Sequence, residues 1–387
     1  MTDVLPDRLE VGPPSGGPRL VAHRLSAAVI AFVLTALVLL ELTLVTARGW
    51  RGPAEVAAPC TSALPVVAPQ DRHLPYAEVD RTDLRVRGAL ARVVRPRGAE
   101  GSIPGVVLVG GAGPSTRDDL ADVAEALARG GLAVLTYDKR TEGYSLLHRD
   151  YGVLADDALA ALDALAAQPS VRRSQVGLLG YSEGGWVVAL AGERSGYGAV
   201  VPGRSGRTQV AFTVLLSAPV VTPLEQAGWL VDRRLAAAPR TLRAGAAAGL
   251  VSGRPLLPHL DTDVVPALTT SRQPTYALWG AEDHTLPVAV AVDRFQAAVP
   301  LQRGRLEIVP GAGHRVAVGS GWPERVSDWV RRGFPLDDAV RGAAPDVLVG
   351  LPTLPRPSPL GRPRLQLGLA VAAALLAGLW PRRPRRG

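Results

Sequence analysis

Apolar and polar positions follow two different periods through the middle of the chain. Short, almost continuously apolar runs predict buried strands, and they lie at 104–111, 132–138, 175–180, 210–219, 274–280 and 304–310. Stretches with helical spacing follow several of them, at 117–131, 154–168 and 322–332. Strands that alternate with helices predict an α/β protein with a doubly wound, mainly parallel sheet.

Two further stretches complete the predicted domain, which we expect to span 76–335. The alternating run at 84–96 is typical of a hairpin that enters the sheet. Residues 220–272 separate two predicted strands and are long enough for a helical lid insertion. This lid contains Trp229, and its basic residues are Arg233, Arg234, Arg240 and Arg243.

Both ends of the chain contain apolar runs. The first, 25–47, has a single charged residue, Glu41, and would measure about 34 Å as a helix, which is enough to cross a bilayer. The second, 365–380, is marginal at about 24 Å. Arginines at 381–387 are typical of a cytoplasmic flank, so we expect a cell-membrane protein with an extracytoplasmic catalytic domain. The ending Val45–Ala47 also resembles a signal-peptide cleavage site, which leaves removal of the first run open.

The predicted organisation has seven parts. They are a cytoplasmic tail at 1–24, a transmembrane anchor at 25–47, a Pro/Ala-rich linker at 48–75, the α/β domain at 76–335, a Pro-rich linker at 336–364, a second transmembrane helix at 365–380 and a basic tail at 381–387.

Charge and cysteine content exclude several classes of protein. The net charge of +8 comes largely from arginines around the C-terminal apolar run, and no zinc-finger spacing or basic helix with interleaved aromatics occurs, so we expect no nucleic-acid partner. The single cysteine, Cys60, excludes an intrachain disulfide and a multi-thiolate metal site. We expect no metal and no cofactor. The lipid bilayer is a predicted partner, and the oligomeric state stays open.

The stretch "VGLLGYSEGGWVVAL" holds a candidate nucleophile, Ser182, between Gly180 and Gly184. A Gly-Xaa-Ser-Xaa-Gly match alone is weak in so glycine-rich a chain, but here it lies where a buried strand turns directly into a helix. Such a turn strains the serine backbone and exposes its hydroxyl, and a Cβ at either glycine would collide with a neighbouring element. The helix that begins there directs its partially positive end at a developing oxyanion.

A nucleophilic serine needs a base and an acid. Of six histidines, His314 lies in a Gly-rich loop after the last predicted strand, the position expected for the base. Asp283 follows the preceding strand and is the predicted acid, with Glu282 as the alternative, while His284 beside it is expected at the rim. The backbone amides of Glu183 and Ala112 are the predicted oxyanion donors.

These five motifs, "VVLVGGAGPSTRDD", "LAVLTYDKRTEGYS", "VGLLGYSEGGWVVALA", "LWGAEDHTLP" and "PGAGH", together resemble the α/β-hydrolase superfamily, especially its serine esterases and prolyl-oligopeptidase-like hydrolases. The resemblance spans 106–314 and implies a Ser182–His314–Asp283 triad and an acyl-enzyme mechanism. One departure concerns the oxyanion loop, which begins with Gly110-Gly111 where such proteins often have His-Gly.

The predicted function is therefore that of a serine hydrolase acting on acyl esters or related acyl substrates, so a small acyl substrate is a predicted partner. The apolar lid with its basic residues favours ester or acyl substrates that can carry negative charge. Esterase, thioesterase, peptidase and acyltransferase activities share this triad and stay open. One alternative is a catalytically silent, membrane-tethered binding module on the same fold. Another is a dinucleotide-binding protein, in which Asp138 would bind the ribose, although Thr116 and Pro114 break the glycine pattern.

Overall fold

The computed structural model describes residues 29–37, 39–40, 51–58, 74–145, 148–196, 207–254, 257–336, 340–354 and 363–379. The chain forms two compact units. One comprises Trp50–Leu354 and holds the α/β domain, and the other comprises Met1–Gly49 with Pro355–Gly387.

The described strands of the α/β unit form one nine-stranded sheet. They are β1 (Val79–Val86), β2 (Ala89–Pro96), β3 (Ile103–Val109), β4 (Ala133–Tyr137), β5 (Val171–Tyr181), β6 (Thr213–Leu216), β7 (Thr275–Gly280), β8 (Gly304–Val309) and β9 (Val340–Gly342). Their order is β1-β2-β4-β3-β5-β6-β7-β8-β9. The hairpin β1–β2 pairs antiparallel and β2 joins β4 antiparallel, whereas the pairings from β4 to β9 are parallel. The sheet is thus mainly parallel, as its apolar strands predicted.

Helices cover both faces of this sheet. They are α1 (Ala121–Arg129), α2 (Tyr151–Ala166), α3 (Gly184–Ser195), α4 (Pro223–Arg234), α5 (Arg240–Gly253), α6 (Val265–Thr270), α7 (Val288–Ala298) and α8 (Trp322–Arg331). On one face α2, α3 and α7 pack against residues such as Val107, and on the other α1 and α8 pack against Val106 and Leu108. Successive residues of β3 point to opposite faces, so an uninterrupted apolar strand satisfies both layers.

The segment predicted as a lid, 220–272, contains α4, α5, a 3₁₀ turn at Pro258–Asp261 and α6. Thr222 caps α4 in a capping box with Glu225. The side chain of Trp229 is fully buried and donates to the carbonyl of Val349 at 3.4 Å. Trp229 therefore holds α4 against the domain and is not a free apolar face of a lid.

Parts of both predicted linkers pair with each other. Arg51 bridges Thr353 and Glu55 bridges Val349 in antiparallel sense, and the amide of Gly350 donates to the carbonyl of Ala54 at 2.9 Å. Pro- and Ala-rich sequence shows no strand alternation, and its partner lies almost 300 residues away, so this pairing had no local signal. The strand β9 was missed for a different reason, because its three residues are too few to show an alternating pattern.

The predicted transmembrane segments find no support in the structure. Of the expected anchor at 25–47, only 29–37 and 39–40 are described, both helical, and the rest lies outside the described residues, as does the basic tail. The second predicted span forms a helix over Pro363–Leu379 (17 residues). Within the described ranges, no helix is both long enough and apolar enough to cross a membrane.

One charged cluster lies inside the domain, on strand β8. The carboxylate of Glu307 accepts hydrogen bonds from the Tyr276 hydroxyl at 2.5 Å and from the guanidinium of Arg325. Glu307 and Arg325 are both nearly inaccessible to solvent. Because β8 leads directly into the loop that carries His314, this cluster supports the site described below.

We predict that Arg325→Met lowers the free energy of unfolding by about 3–5 kcal/mol, since it leaves a buried carboxylate without its cation. Urea denaturation of purified protein measures the change. Arg331→Met is the matched control on the same helix, because Arg331 is exposed and pairs with Asp328 at 3.4 Å, and it should cost less than about 1 kcal/mol. Equal losses in the two variants would contradict a buried role for Arg325.

Candidate active site

Ser182 lies at the sharp turn between β5 and α3. Its φ of 52° is in the left-handed region, which residues other than glycine rarely adopt. The Ser182 amide donates to the carbonyl of Leu216 at 2.9 Å, and the Ser182 carbonyl accepts from the Gly185 amide at 2.8 Å. These bonds tie the strained residue to strand β6 on one side and to the first turn of α3 on the other.

The two flanking glycines are required by close packing. A Cβ at Gly180 would overlap the carbonyl oxygen of Gly184, and a Cβ at Gly184 would overlap the carbonyl oxygen of Val109 on β3. Gly180 is therefore crowded by the turn itself and Gly184 by strand β3, so neither position can hold a side chain. This is the crowding that the glycine spacing predicts.

The structure brings Ser182, His314 and Asp283 together. His314 Nε2 lies 2.9 Å from Ser182 Oγ, and His314 Nδ1 lies 2.7 Å from Asp283 Oδ2. The Asp283 side chain is completely buried. Its other oxygen, Oδ1, accepts from the amides of Thr285 at 2.7 Å and Leu286 at 3.3 Å. Backbone amides thus orient the carboxylate, which in turn orients the imidazole toward the serine.

Glu282 and His284, the neighbours of the acid, are both exposed. The Glu282 amide donates to the carbonyl of Ala312 at 2.8 Å, which fixes the backbone of this loop against the loop that carries His314. Of the two acids that the sequence left open, it is Asp283 that contacts the imidazole of His314.

The two predicted oxyanion donors lie on either side of the serine. Glu183 follows Ser182 directly, and Ala112 lies in the loop after β3, where it lines the same cavity as Ser182 and His314. In the described part of the chain, neither amide donates to another protein group. Both therefore remain available to an oxygen bound beside Ser182.

A cavity of about 430 Å³ opens beside these groups. Its apolar wall includes Leu108, Leu120, Tyr137 and Tyr181. Its polar wall includes Ser115, Thr116, Asp119, Gln226, Thr285 and Arg315. Gln226 comes from helix α4, so the predicted lid contributes to the cavity, although none of the four lid arginines lines it. Arg233 stacks on Trp229 at 5.1 Å, and Arg243 pairs with Asp232 at 2.6 Å.

The side chain of Glu183 belongs to a buried cluster that the sequence analysis missed. It accepts from Lys139 Nζ at 3.0 Å, the Tyr144 hydroxyl at 2.6 Å and Arg149 Nη1 at 2.8 Å. Burial, and then Glu183, raise the pKa of Tyr144 to about 12. Burial lowers the pKa of Lys139, against the opposing pull of Glu183. The one sequence signal is that Lys139 is the only lysine in the chain.

Other chemistries find less support in the residues present. The carboxylate of Asp138, the candidate ribose partner, accepts from the Arg117 amide at 2.8 Å and pairs with its guanidinium at 3.2 Å. Across the described ranges, no group of three or more His, Cys, Asp or Glu residues is arranged to hold a metal ion. The expected absence of a metal and a cofactor stays a prediction.

The chain is similar to several solved structures at low sequence identity. Similar solved structures include 2,6-dihydroxy-pseudo-oxynicotine hydrolase (20% identity, 70% of this chain and 71% of that chain, TM-score 0.47). They also include an esterase from the bacterial hormone-sensitive lipase family (21% identity, 67% and 87%, TM-score 0.48) and dienelactone hydrolase from Anabaena variabilis (21% identity, 65% and 96%, TM-score 0.42). Among curated proteins, no sequence matches the chain significantly. The model of the alpha/beta hydrolase family matches residues 106–329, more than half of the chain, and the protein therefore belongs to the α/β-hydrolase family.

Proposed function

We propose that this protein is a serine hydrolase that cleaves acyl esters or related acyl compounds through a covalent acyl-enzyme. The observation that carries the proposal is the continuous hydrogen-bonded series from Ser182 Oγ through His314 to Asp283, at 2.9 and 2.7 Å, at the edge of a cavity. A serine that is only structural needs neither a partner imidazole nor a strained backbone.

In the proposed reaction, Ser182 Oγ attacks the acyl carbon while His314 Nε2 accepts the hydroxyl proton. The carbonyl oxygen gains negative charge and accepts hydrogen bonds from the amides of Glu183 and Ala112. When the carbon–oxygen bond to the alcohol breaks, His314 returns the proton to the leaving alkoxide. A water molecule then repeats the sequence, which releases the acid and restores Ser182. Asp283 stays ionised throughout and stabilises the imidazolium.

The cavity supports a small acyl substrate. Its volume of about 430 Å³ and its mixed walls suit a compact group with both apolar and polar parts. The lid arginines do not argue for an anionic substrate, because none of the four lines this cavity. We therefore propose uncharged acyl esters as the first substrates to test, with thioesters and aminoacyl amides beside them.

Labelling by a fluorophosphonate probe tests the nucleophile. The wild-type chain should acquire one phosphonyl group on Ser182, because its hydroxyl lies 2.9 Å from His314 Nε2 and lines a cavity open to the probe. Intact-mass and peptide spectrometry measure the addition. Ser182→Ala should abolish labelling, and full labelling of that variant would refute the assignment. No labelling of a folded wild type would favour the silent binding module.

The ranking of variants at the acid and base tests the triad. His314→Ala and Asp283→Asn should each lower kcat/KM by about 10⁴-fold, since one removes the base and the other favours the wrong imidazole tautomer. Glu282→Gln is the matched control on the adjacent residue, and it should change kcat/KM by less than about threefold because its side chain is exposed. Steady-state hydrolysis of a p-nitrophenyl ester measures all three. A larger loss in Glu282→Gln than in Asp283→Asn would overturn the choice of acid.

We also propose, from the sequence alone, that the chain is held at a membrane with its α/β domain outside the cytoplasm. The apolar runs 25–47 and 365–380 and the arginines at 381–387 support this orientation. Protease added to intact cells should then digest the α/β domain and leave both termini protected, as epitope tags would report. A domain that resists digestion until the cells are lysed would refute the orientation.

A further inference from the structure

The only lysine in the chain contacts the back of the oxyanion loop. Lys139 Nζ donates to the carbonyl oxygen of Gly111 and, at 3.0 Å, to the carboxylate of Glu183. The ammonium also lies 4.8 Å from the centre of the Tyr144 ring. Its side chain is 4% exposed, so these contacts are shielded from water.

Tyr144 binds the same loop two residues further along. Its hydroxyl accepts from the amide of Gly113 at 2.9 Å and donates to Glu183 at 2.6 Å. Arg149 adds a third hydrogen bond to Glu183, at 2.8 Å. The loop backbone is therefore held by Lys139 at the Gly111 carbonyl and by Tyr144 at the Gly113 amide, with the Ala112 amide between the two.

The geometry of a peptide group gives these contacts a consequence for the Ala112 amide. The carbonyl of Gly111 and the N–H of Ala112 belong to one planar peptide, in which they point in opposite directions. A carbonyl held toward Lys139 therefore directs the N–H away from Lys139. The loop also lies close to the nucleophile, because a Cβ at Gly111 would be 3.4 Å from Ser182 Cβ. Donation from a cation to the carbonyl further polarises the peptide and strengthens its N–H as a donor.

We propose that Lys139, Glu183 and Tyr144 form a positioning cluster that aims the Ala112 amide at the reacting carbonyl oxygen. This inference rests on the proposed function and assigns a second role to Glu183. Its backbone amide is one oxyanion donor, and its side chain anchors the loop that carries the other. The two donors come from different elements of the fold, and the cluster links them.

A lysine suits this position better than an arginine. The ammonium is a compact group whose three N–H bonds diverge, which matches acceptors as different as a carbonyl, a carboxylate and a ring face. A planar guanidinium would need more space and would direct its donors into one plane. The chain otherwise uses arginine for its positive charge, with 42 of its 43 cationic residues being Arg (43 Lys+Arg minus one Lys).

The test compares hydrolysis of p-nitrophenyl butyrate with that of its thiono analogue, in which sulfur replaces the carbonyl oxygen. Sulfur accepts hydrogen bonds weakly, so the thionoester gains little from the oxyanion amides. The double variant Lys139→Met/Glu183→Gln removes both members of the fully buried pair. It leaves only Arg149, whose side chain is 15% exposed, without a carboxylate partner. Tyr144→Phe removes a single hydroxyl and retains every charge. Arg140→Met is the matched control, because its guanidinium pairs with Asp157 at 2.5 Å and contacts no part of the loop.

We expect the kcat of the double variant toward the ester to fall about 10- to 100-fold, somewhat less than when a whole oxyanion donor is lost. Its KM should stay within about threefold of the wild-type value. Tyr144→Phe should lose about tenfold. Both should lose much less toward the thionoester, so the ester-to-thionoester rate ratio should fall. The single variant Lys139→Arg should also have a lower kcat toward the ester than the wild type. Arg140→Met should leave the rate ratio unchanged.

Thermal unfolding identifies variants that do not fold, and if the double variant fails, Tyr144→Phe decides the question. Folded variants that keep the wild-type kcat and rate ratio would overturn the inference while the proposed hydrolase function stands. Equal losses toward ester and thionoester would also overturn it, because they indicate general disruption. A folded wild type inert toward both substrates would overturn the proposed function, and this inference with it.

Discussion

The close approach of the β5–α3 turn to strand β3 is the constraint on which the site depends. At this point Gly184 leaves no space for a side chain beside the carbonyl of Val109, and Ser182 is held at a positive φ. A non-glycine residue in that conformation costs about 1–3 kcal/mol, which the surrounding parallel strands must offset. In exchange, the serine hydroxyl faces His314, and the first amides of helix α3 lie beside it.

The rest of the site is arranged around this turn by the ends of the neighbouring strands. Strand β7 delivers Asp283 and strand β8 delivers His314, and in a parallel sheet both carboxyl ends open at the same edge as that of β5. Glu307 ties β8 to its neighbours, because it accepts from Tyr276 on β7 and from Arg325 on α8. The stability of the sheet and the geometry of the site are therefore linked, because only a short loop connects β8 to His314.

Against the loop that contains Gly111 and Gly113, the protein buries a glutamate, a lysine and a tyrosine instead of apolar side chains. Burying charged groups costs free energy unless each one is paired and hydrogen-bonded. Here the carboxylate of Glu183 has three donors, and Lys139 has two oxygen acceptors and a ring face. Such a cluster specifies a single loop geometry, whereas apolar packing would tolerate several. The position of this cluster under the loop agrees with a role in orientation.

Local pattern was sufficient to predict the layered fold and the candidate triad, because both depend on short-range signals. Buried strands are continuous apolar runs, and an elbow needs glycines two residues on either side of its serine, so 104–111 and 175–184 were informative by themselves. The order of strands then implied that Asp283 and His314 would meet Ser182.

Tertiary structure decided the features that depend on contacts between distant residues. Both Asp283 and Glu282 suit the acid position in the sequence, and only the path of the loop after β7 turns one inward and the other toward solvent. In the sequence, Trp229 is one residue of a predicted lid. In the structure, its indole donates a hydrogen bond to the carbonyl of Val349, 120 residues away. Lys139 and Glu183, 44 residues apart, show no periodicity that connects them. The hydrophobic period along an element indicates which of its faces is buried. It does not indicate which polar groups will lie in the same buried space, because that is determined only when the strands have assembled.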